Sequence, residues 1–206
     1  MLFRSIGDGG ARLDKTQVQT KSDIRYNALQ QAISWTLVQT DSSAPDLATT
    51  SRYAVTYDTQ GRVATQREES DKAYRESDGS VAHEQTTTQK SAFAYDAYGQ
   101  TSGWHEVVTS YEGAEGVRVV SADVRVTYDA QGRSAATHRE QHDVITDAGG
   151  IVVQDASQTV DVVQNAYDAL GQVARKTMTV TKHSGLRTVT SDAADSVYDK
   201  IGRAHV

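Results

Sequence analysis

The feature that most constrains the fold is a hexapeptide, Tyr-Asp-x-x-Gly-Arg/Gln, that recurs along the whole chain. Three copies end in arginine and two in glutamine, and the two types alternate. A degenerate sixth copy at the start has glutamine in place of the glycine, at Gln30. In chain order the copies begin at positions 26, 57, 95, 128, 167 and 198.

The hexapeptide has the chemistry of a tight turn between two antiparallel strands. Aspartate at its second position can accept a hydrogen bond from the backbone two residues on, and glycine can adopt the left-handed conformation. Tyrosine before the turn suits the end of a strand. Because Gln30 replaces the glycine, the first turn is expected to be strained or built differently. The predicted structural turn residues are Tyr57, Asp58, Gly61, Tyr95, Asp96, Gly99, Tyr128, Asp129, Gly132, Tyr167, Asp168, Gly171, Tyr198, Asp199 and Gly202.

The spacing of the copies defines a longer repeat. The interval between successive tyrosines is irregular, but the intervals between alternate tyrosines, from 26 to 95, 57 to 128, 95 to 167 and 128 to 198, are nearly equal. The repeat is therefore a unit of about 70 residues with two different hairpins. The chain is predicted to be one continuous array, residues 1–206, cut in mid-repeat at both ends from a longer protein. The predicted units are approximately 1–25 (partial), 26–94, 95–166 and 167–206 (partial).

Between the tyrosine turns, polar and apolar residues alternate, and a second set of turn sequences interrupts them. Asp147–Gly150 contains two glycines, whereas Asp41–Asp46 takes the same place in the first unit without one. Alternation with period two predicts half-buried strands. We expect an all-β fold of tandem antiparallel β-hairpins that form an elongated or spiral repeat sheet of about 11 or 12 strands. The predicted strands are 11–26, 31–40, 47–57, 62–76, 81–95, 101–111, 117–128, 133–146, 151–167, 172–182 and 187–198.

Composition excludes several classes of protein. The chain has no cysteine, so it has neither disulfides nor thiolate metal sites. A pI near 5.5 and the absence of clustered Lys and Arg argue against a nucleic-acid partner. No run of about 18 apolar residues is present, so no membrane span is predicted, and the N-terminus lacks the apolar stretch of a signal peptide.

Two groups of residues are candidates for ligand binding. His138, Glu140 and His142 lie at alternate positions of a predicted strand and share one face, and two imidazoles with a carboxylate could bind zinc. The corresponding stretch after Gly61 has no histidine, so the group is not part of the repeat, and we favour a solvated polar face. Trp35 and Trp104 occupy the same position after a glutamine-type tyrosine and are candidate contacts for a glycan. Packing on a half-covered sheet face is the preferred interpretation of both tryptophans.

The sequence predicts no catalytic, cofactor-binding or metal-binding residues. One aspartate per turn supplies too few ligands for a calcium site, and turn chemistry explains these aspartates fully. No nucleophile elbow, phosphate-binding loop or zinc-protease motif occurs. We therefore expect a protein that is not an enzyme and needs no cofactor.

Five well-formed copies of Tyr-Asp-x-x-Gly-Arg/Gln resemble the YD repeats, also called Rhs repeats, in an atypical variant with a long period. The resemblance implies a large bacterial protein that is extracellular or on the cell surface. It also implies strands that wind into a spiral sheet or hollow shell.

Together the repeat pattern and the resemblance predict a non-enzymatic structural segment of a fibre, stalk or shell wall, whose partners are neighbouring copies of the same repeat. One alternative is an adhesion module that binds glycans through the two tryptophans. A second is part of a shell that encloses a toxin.

Overall fold

The computed structural model is all-β. It describes residues 16–111, 116–167, 171 and 173–184, together with short strand segments at 5–6, 12–13, 187–193, 197–198 and 204–205. These residues contain fifteen strands and no helix. The strands are β1 (Ser5–Ile6), β2 (Arg12–Leu13), β3 (Gln17–Tyr26), β4 (Ala32–Asp41), β5 (Ala44–Tyr57), β6 (Val63–Arg75), β7 (Val81–Tyr95), β8 (Thr101–Tyr111), β9 (Val117–Tyr128), β10 (Ser134–Thr146), β11 (Val152–Tyr167), β12 (Val173–Ser184), β13 (Arg187–Ala193), β14 (Val197–Tyr198) and β15 (Ala204–His205).

Eleven of these strands, β3 to β13, form one antiparallel sheet in chain order. Each inner strand of this sheet therefore pairs with the strands that precede and follow it, and β3 and β13 are its edges, as consecutive hairpins require. The predicted fold class, an all-β sheet of tandem antiparallel hairpins, is confirmed. The described residues include no helix long and apolar enough to cross a membrane.

The outermost predicted strands differ from the structure. The predicted strand 11–26 is divided into β2, which pairs with β1, and β3, which joins the main sheet. The described residues of the predicted strand 187–198 belong to β13, which pairs with β12, and to β14, which pairs with β15, whereas residues 194–196 lie outside the described residues. Only polar residues separate Leu13 from Val18, so the apolar alternation is interrupted at the first division.

The turn between β4 and β5 is tighter than its sequence predicts. Asp41 Oδ1 accepts hydrogen bonds from the backbone N–H of Ser43 at 2.8 Å and from its hydroxyl at 2.6 Å. Asp41 then pairs directly with Ala44. The turn therefore closes early, and Pro45 lies within β5 rather than in the loop.

The chain forms two compact parts. The first comprises Met1–Gln89 with Val108–Val117, and the second comprises Lys90–Val107 with Arg118–Val206. Within each part the tyrosine turns join strands at one end, and the other turns join them at the opposite end. In each part we call the end with the tyrosine turns its tyrosine-turn end.

Few side chains are buried in either part. The buried apolar residues among those described are Val55, Ala122 and Val124, which are 7%, 2% and 4% exposed. In β5 the buried Ser51 and Val55 alternate with exposed residues, as expected of a strand with one covered face. Backbone hydrogen bonds and side-chain contacts between neighbouring strands must therefore provide much of the stability that a thick apolar core provides in other folds.

Candidate functional site

The two arginine-type tyrosine turns that the structure describes share one hydrogen-bond pattern. In the turn that follows Tyr57, the N–H of Gly61 donates to the carbonyl of Asp58 at 3.0 Å, and the N–H of Asp58 donates to the carbonyl of Arg62 at 2.7 Å. Asp58 Oδ1 accepts from the backbone N–H groups of Gln60 and Arg62, each at 2.9 Å. Gly61 has φ +79, the left-handed conformation that glycine adopts without strain.

The same pattern recurs one repeat later, in the turn that follows Tyr128. Asp129 Oδ1 accepts from Gln131 and Arg133 at 2.9 Å, and Gly132 has φ +75. In both turns the arginine side chain also donates to the aspartate, at 2.8 Å for Arg62 and 2.7 Å for Arg133. The backbone N–H of Arg62 lowers the pKa of Asp58, and the side chain of Arg133 lowers that of Asp129, since both donors favour the charged carboxylate.

The glutamine-type turn that follows Tyr95 folds in the same way but contacts its neighbouring hairpin differently. Asp96 Oδ1 accepts from the backbone of Tyr98 and Gln100, each at 2.9 Å, and Gly99 has φ +80. Gly171 is also left-handed, at φ +75. Asp168, Asp199 and Gly202 lie outside the described residues, and Tyr198 is described only as a residue of β14.

The alternation of glutamine and arginine corresponds to two kinds of link between neighbouring hairpins. Gln31 Nε2 donates to the carbonyl of Gly61 at 2.8 Å, and Gln100 Nε2 donates to the carbonyl of Gly132 at 2.9 Å. A glutamine-type turn thus binds the glycine of the arginine-type turn that follows it. An arginine-type turn contacts the tyrosine of the next turn instead: the Arg133 guanidinium lies 4.1 Å from the centroid of the Tyr167 ring.

The turn tyrosines add a third link. The hydroxyl of Tyr57 donates to the carbonyl of Ala32 at 2.8 Å, and the hydroxyl of Tyr128 donates to the carbonyl of Thr101 at 2.7 Å. The hydroxyl of Tyr167 donates to the carbonyl of Ser134. Each acceptor is the first residue of the strand after the preceding tyrosine turn. The tyrosine therefore joins one hairpin to the previous one.

The first turn adopts the common geometry without its glycine. Gln30 has φ +62, and its N–H donates to the carbonyl of Asn27 at 3.1 Å. A non-glycine residue in this region is strained by about 1–2 kcal/mol. The expected strain at Gln30 is therefore present, and the turn is not rebuilt.

Gln30→Gly is expected to raise the free energy of unfolding by about 0.5–1 kcal/mol, because the relieved strain exceeds the entropy cost of glycine. Thermal unfolding monitored by circular dichroism would measure the gain. Gln60→Gly is the matched control, since Gln60 is not among the left-handed residues and glycine should lower stability there. A destabilised Gln30→Gly variant would contradict this assignment.

The second position of the glutamine-type turns distinguishes two otherwise similar copies. In the first turn Asn27 Nδ2 donates to Gln31 Oε1 at 2.9 Å. In the later copy Asp96 takes the place of Asn27, and a carboxylate cannot donate to the matching oxygen of Gln100. No donor among the described residues contacts Asp96 Oδ2 or Gln100 Oε1.

Asp96→Asn is therefore expected to stabilise the chain by about 0.5–1.5 kcal/mol through the new amide hydrogen bond. The reciprocal change, Asn27→Asp, should destabilise it by a similar amount. Chemical denaturation of both variants beside the wild type would test the pair. Changes of the same sign in the two variants would refute the equivalence of the turns.

Trp35 and Trp104 both lie beside a lysine. Lys21 Nζ is 4.3 Å from the centroid of Trp35, and the ring of Tyr53 stacks on the same indole at 4.9 Å. Lys21 and Tyr53 lie on β3 and β5, the strands on either side of β4, so side chains flank the indole from two directions. Lys90 Nζ lies 5.2 Å from the centroid of Trp104.

Tyr53 extends this row of side chains across the first part. Its hydroxyl donates to Glu68 Oε1 at 2.7 Å. Burial, reinforced by the neighbouring Glu68 carboxylate, raises the pKa of Tyr53 above its ordinary value of 10.0. Lys21, Trp35, Tyr53 and Glu68 therefore connect four consecutive strands.

The histidines predicted to share a face are each engaged by a carboxylate of the neighbouring strand. His138 Nδ1 lies 2.6 Å from Asp161 and its Nε2 lies 3.1 Å from Glu140, whereas His142 Nε2 lies 2.6 Å from Asp155. In the described part of the chain, no group of three or more histidine or carboxylate side chains is arranged to hold a metal ion.

His138 gives the stability a predicted pH dependence. The Asp161 and Glu140 carboxylates raise its pKa above the ordinary value of 6.5, and His138, Asp161 and Arg125 line one cleft. The stabilisation is fully present below the pKa of the unfolded chain and is lost as the pH rises through the raised pKa of the folded chain. Because the His138 side chain is 36% exposed, the effect should stay below about 1 kcal/mol.

His138→Gln should therefore lose more stability relative to the wild type at about pH 6 than at about pH 8.5. Melting temperatures of the two proteins across this range would show the difference. His183→Gln is the control, because His183 contacts the hydroxyl of Thr159 at 3.3 Å and not a carboxylate. Parallel pH profiles for the wild type and His138→Gln would contradict the assignment.

Sequence reasoning missed an ionic group in the second part. The Glu106 carboxylate lies 3.2 Å from Lys90 Nζ and 3.0 Å from an Arg139 guanidinium nitrogen, and its side chain is 12% exposed. Arg139 is on β10 and Glu106 on β8, so the contact spans β9, which carries the buried Ala122 and Val124. Burial acts to raise the pKa of Glu106, but the bonds from Arg139 and Lys90 outweigh it and lower the pKa overall.

The described polar side chains at the tyrosine-turn end thus serve mainly to connect strands and hairpins. No protein-family model matches the chain, and no curated protein matches it. The resemblance to YD repeats therefore stays a prediction that depends on the turn motif alone.

Proposed function

We propose that this chain is a non-enzymatic structural segment of a large extracellular or cell-surface repeat protein of bacteria. In this role it forms part of a fibre, stalk or shell wall, and neighbouring copies of the repeat are its partners. The two alternating hairpins together form the building unit, and the links at the tyrosine-turn end join one hairpin to the next.

One observation carries the proposal: the recurring side chains contact the neighbouring hairpin. Gln31 and Gln100, which occupy equivalent positions in successive repeats, make the same bond to the glycine of the next turn. Tyr57 and Tyr128, also one repeat apart, make the same bond to the preceding strand. Contacts that repeat with the period of the sequence and join successive units are typical of repeat architectures, where each unit stabilises its neighbours.

The surface supports the same role. The buried apolar side chains described in both parts are few, and the exposed ones are mostly scattered along the strands. Salt bridges such as Arg67–Glu69 join polar side chains along the faces of the sheet. The resemblance to YD-repeat proteins supports the location outside the cell.

Duplication of one unit tests the proposal. A second copy of residues 58–128 inserted after Tyr128 recreates an intact turn, because it joins Tyr128 to Asp58. A structural repeat should accept the insertion, keep the same strand content per residue and unfold at a higher denaturant concentration. Loss of the fold or a lower midpoint would count against it.

A glycan array tests the adhesion alternative directly. Specific binding by the wild type that is lost in a Trp35→Ala/Trp104→Ala variant would favour the adhesion module. The proposed structural role predicts no specific binding through these tryptophans.

A further inference from the structure

Each part has a cleft at its own tyrosine-turn end, and several lining residues occupy equivalent positions of the repeat. Each cleft lies between a glutamine-type turn and the arginine-type turn that follows it, and their volumes are about 730 and 760 Å³. The first cleft includes Asn27, Leu29, Gln31, Tyr57 and Asp58. The second includes Asp96, Tyr98, Gln100, Tyr128 and Asp129.

Two substitutions make the second cleft chemically different from the first. Tyr98 presents an aromatic ring that is 91% exposed where the first cleft has Leu29. Asp96 takes the place of Asn27, so the hydrogen bond that the Asn27 side-chain amide donates in the first turn has no counterpart in the second. As a result, both Asp96 Oδ2 and Gln100 Oε1 have no donor among the described residues.

These three groups all attract a cation that carries N–H donors. A carboxylate and an amide oxygen accept hydrogen bonds, and the face of an aromatic ring attracts positive charge. Gln100 Nε2 is already bound to the carbonyl of Gly132, so that amide offers its oxygen rather than its nitrogen to a ligand. Arg133 pairs with Asp129 at 2.7 Å, so Asp96 supplies the available negative charge.

An ammonium group between a carboxylate and an aromatic ring already occurs among the described residues. Lys90 Nζ lies 3.2 Å from the Glu106 carboxylate and 5.2 Å from the centroid of the Trp104 ring. An ammonium group has three donors and no acceptor, which matches two acceptors beside a ring.

We propose that the cleft lined by Asp96, Tyr98 and Gln100 binds an alkylammonium group, such as the lysine side chain of a partner chain. Asp96 and Gln100 accept its N–H bonds, and the ring of Tyr98 covers its apolar stem and attracts its charge. The first cleft lacks both the free carboxylate and the ring, so it does not bind this group. This binding site goes beyond the structural role proposed above.

Binding can be measured on the full chain by NMR titration with capped lysine, with capped norleucine as the isostere that lacks the ammonium. Saturable binding of capped lysine in the millimolar range is expected, with no comparable binding of capped norleucine. Asp96→Asn and Tyr98→Leu should each weaken binding by about tenfold. Because Asp96→Asn is expected to be more stable than the wild type, its loss of affinity cannot come from unfolding.

The first cleft supplies a gain-of-function test. The double variant Asn27→Asp/Leu29→Tyr should acquire a second site for capped lysine. A parallel titration with 1,4-diaminobutane distinguishes the source of the group: tighter binding of capped lysine assigns it to a protein side chain, and tighter binding of the diamine to a free polyamine. Absence of saturable binding, equal binding of norleucine, or unchanged affinity in Asp96→Asn and Tyr98→Leu would overturn the proposal.

Discussion

Gly132→Val is expected to lower the free energy of unfolding by about 2–3 kcal/mol, among the largest effects of any single change at the tyrosine-turn end. Gly132 has φ +75, a conformation that a β-branched residue adopts only with strain. An added Cβ would also lie 3.3 Å from Gln100 Nε2, the group that donates to the carbonyl of Gly132. The substitution therefore strains the turn and disturbs its link to the neighbouring hairpin.

Two matched variants separate these causes. Gly99→Val has the same backbone strain at φ +80, but a Cβ there meets no atom within 4 Å, so it should cost less. Gly132→Asn should be milder than valine, because asparagine tolerates the left-handed region. Urea denaturation of the three variants would give the ranking. Equal losses for Gly132→Val and Gly132→Asn would refute the turn assignment.

Glu106→Gln is also expected to have a large effect: it should lower the free energy of unfolding by about 2–3 kcal/mol. Removing the charge leaves Lys90 and Arg139, whose side chains are 30% and 28% exposed, without their shared carboxylate. Breaking a fully buried pair costs about 3–5 kcal/mol, and the partial exposure of both cations reduces that figure. The neutral amide can accept from one of the two cations but cannot balance either charge.

Acid should remove the same stabilisation. The pKa of Glu106 is lowered on folding, so its contribution is complete above the unfolded value and is lost as the pH falls through the lowered folded pKa. The stability difference between the wild type and Glu106→Gln should therefore shrink in acid. Glu69→Gln is the control, because the Arg67–Glu69 pair is about half exposed and should contribute less than about 0.5 kcal/mol. Equal losses in the two variants at neutral pH would contradict the assigned role.

The turns and most strand boundaries could be predicted because their causes are local. The alternation of Tyr53, Val55 and Tyr57 places these residues on one face whatever the rest of the chain does. Asp58 reaches backbone N–H groups within its own turn, and Gly61 is needed there for its left-handed conformation. The sequence of one hexapeptide is enough to specify both.

Backbone irregularities could not be predicted, because they depend on how two strands align. Asp23 in β3 and Ala92 in β7 occupy equivalent positions before a turn tyrosine and have φ +53 and +51, and β3 shifts register at this point. The strand β11 shifts register between Gln164 and Ala166. Both of these shifts lie in a strand before a glutamine-type turn, yet aspartate and alanine are not residues that mark a β-bulge.

Contacts between side chains on different strands were also beyond prediction. Sequence spacing placed Trp35 and Trp104 at the same position of successive units, but it did not predict the lysines that lie beside them. Glu106 is distant in sequence from both Lys90 and Arg139, and no local pattern connects the three. The glutamine–arginine alternation acquires a physical meaning only because the structure places Gln100 beside Gly132 on the neighbouring turn.

Two internal deletions test most directly whether the building unit is the pair of hairpins. Removing residues 58–128 deletes one complete repeat and joins Tyr57 to Asp129, which keeps the alternation of turn types. Removing residues 58–95 deletes a much shorter segment and joins Tyr57 to Asp96. This junction places a glutamine-type turn after β5, whereas in the native chain that turn follows β7, which contains the left-handed Ala92. Both junctions restore a complete hexapeptide.

The decisive measurement is the denaturant midpoint of the two deletion variants, with circular dichroism to check strand content. A double-hairpin repeat predicts that the variant without residues 58–128 keeps its strands and unfolds at the higher denaturant concentration, although it has lost more of the chain. A higher midpoint for the variant without residues 58–95 would show that each hairpin is an independent unit and would contradict the account.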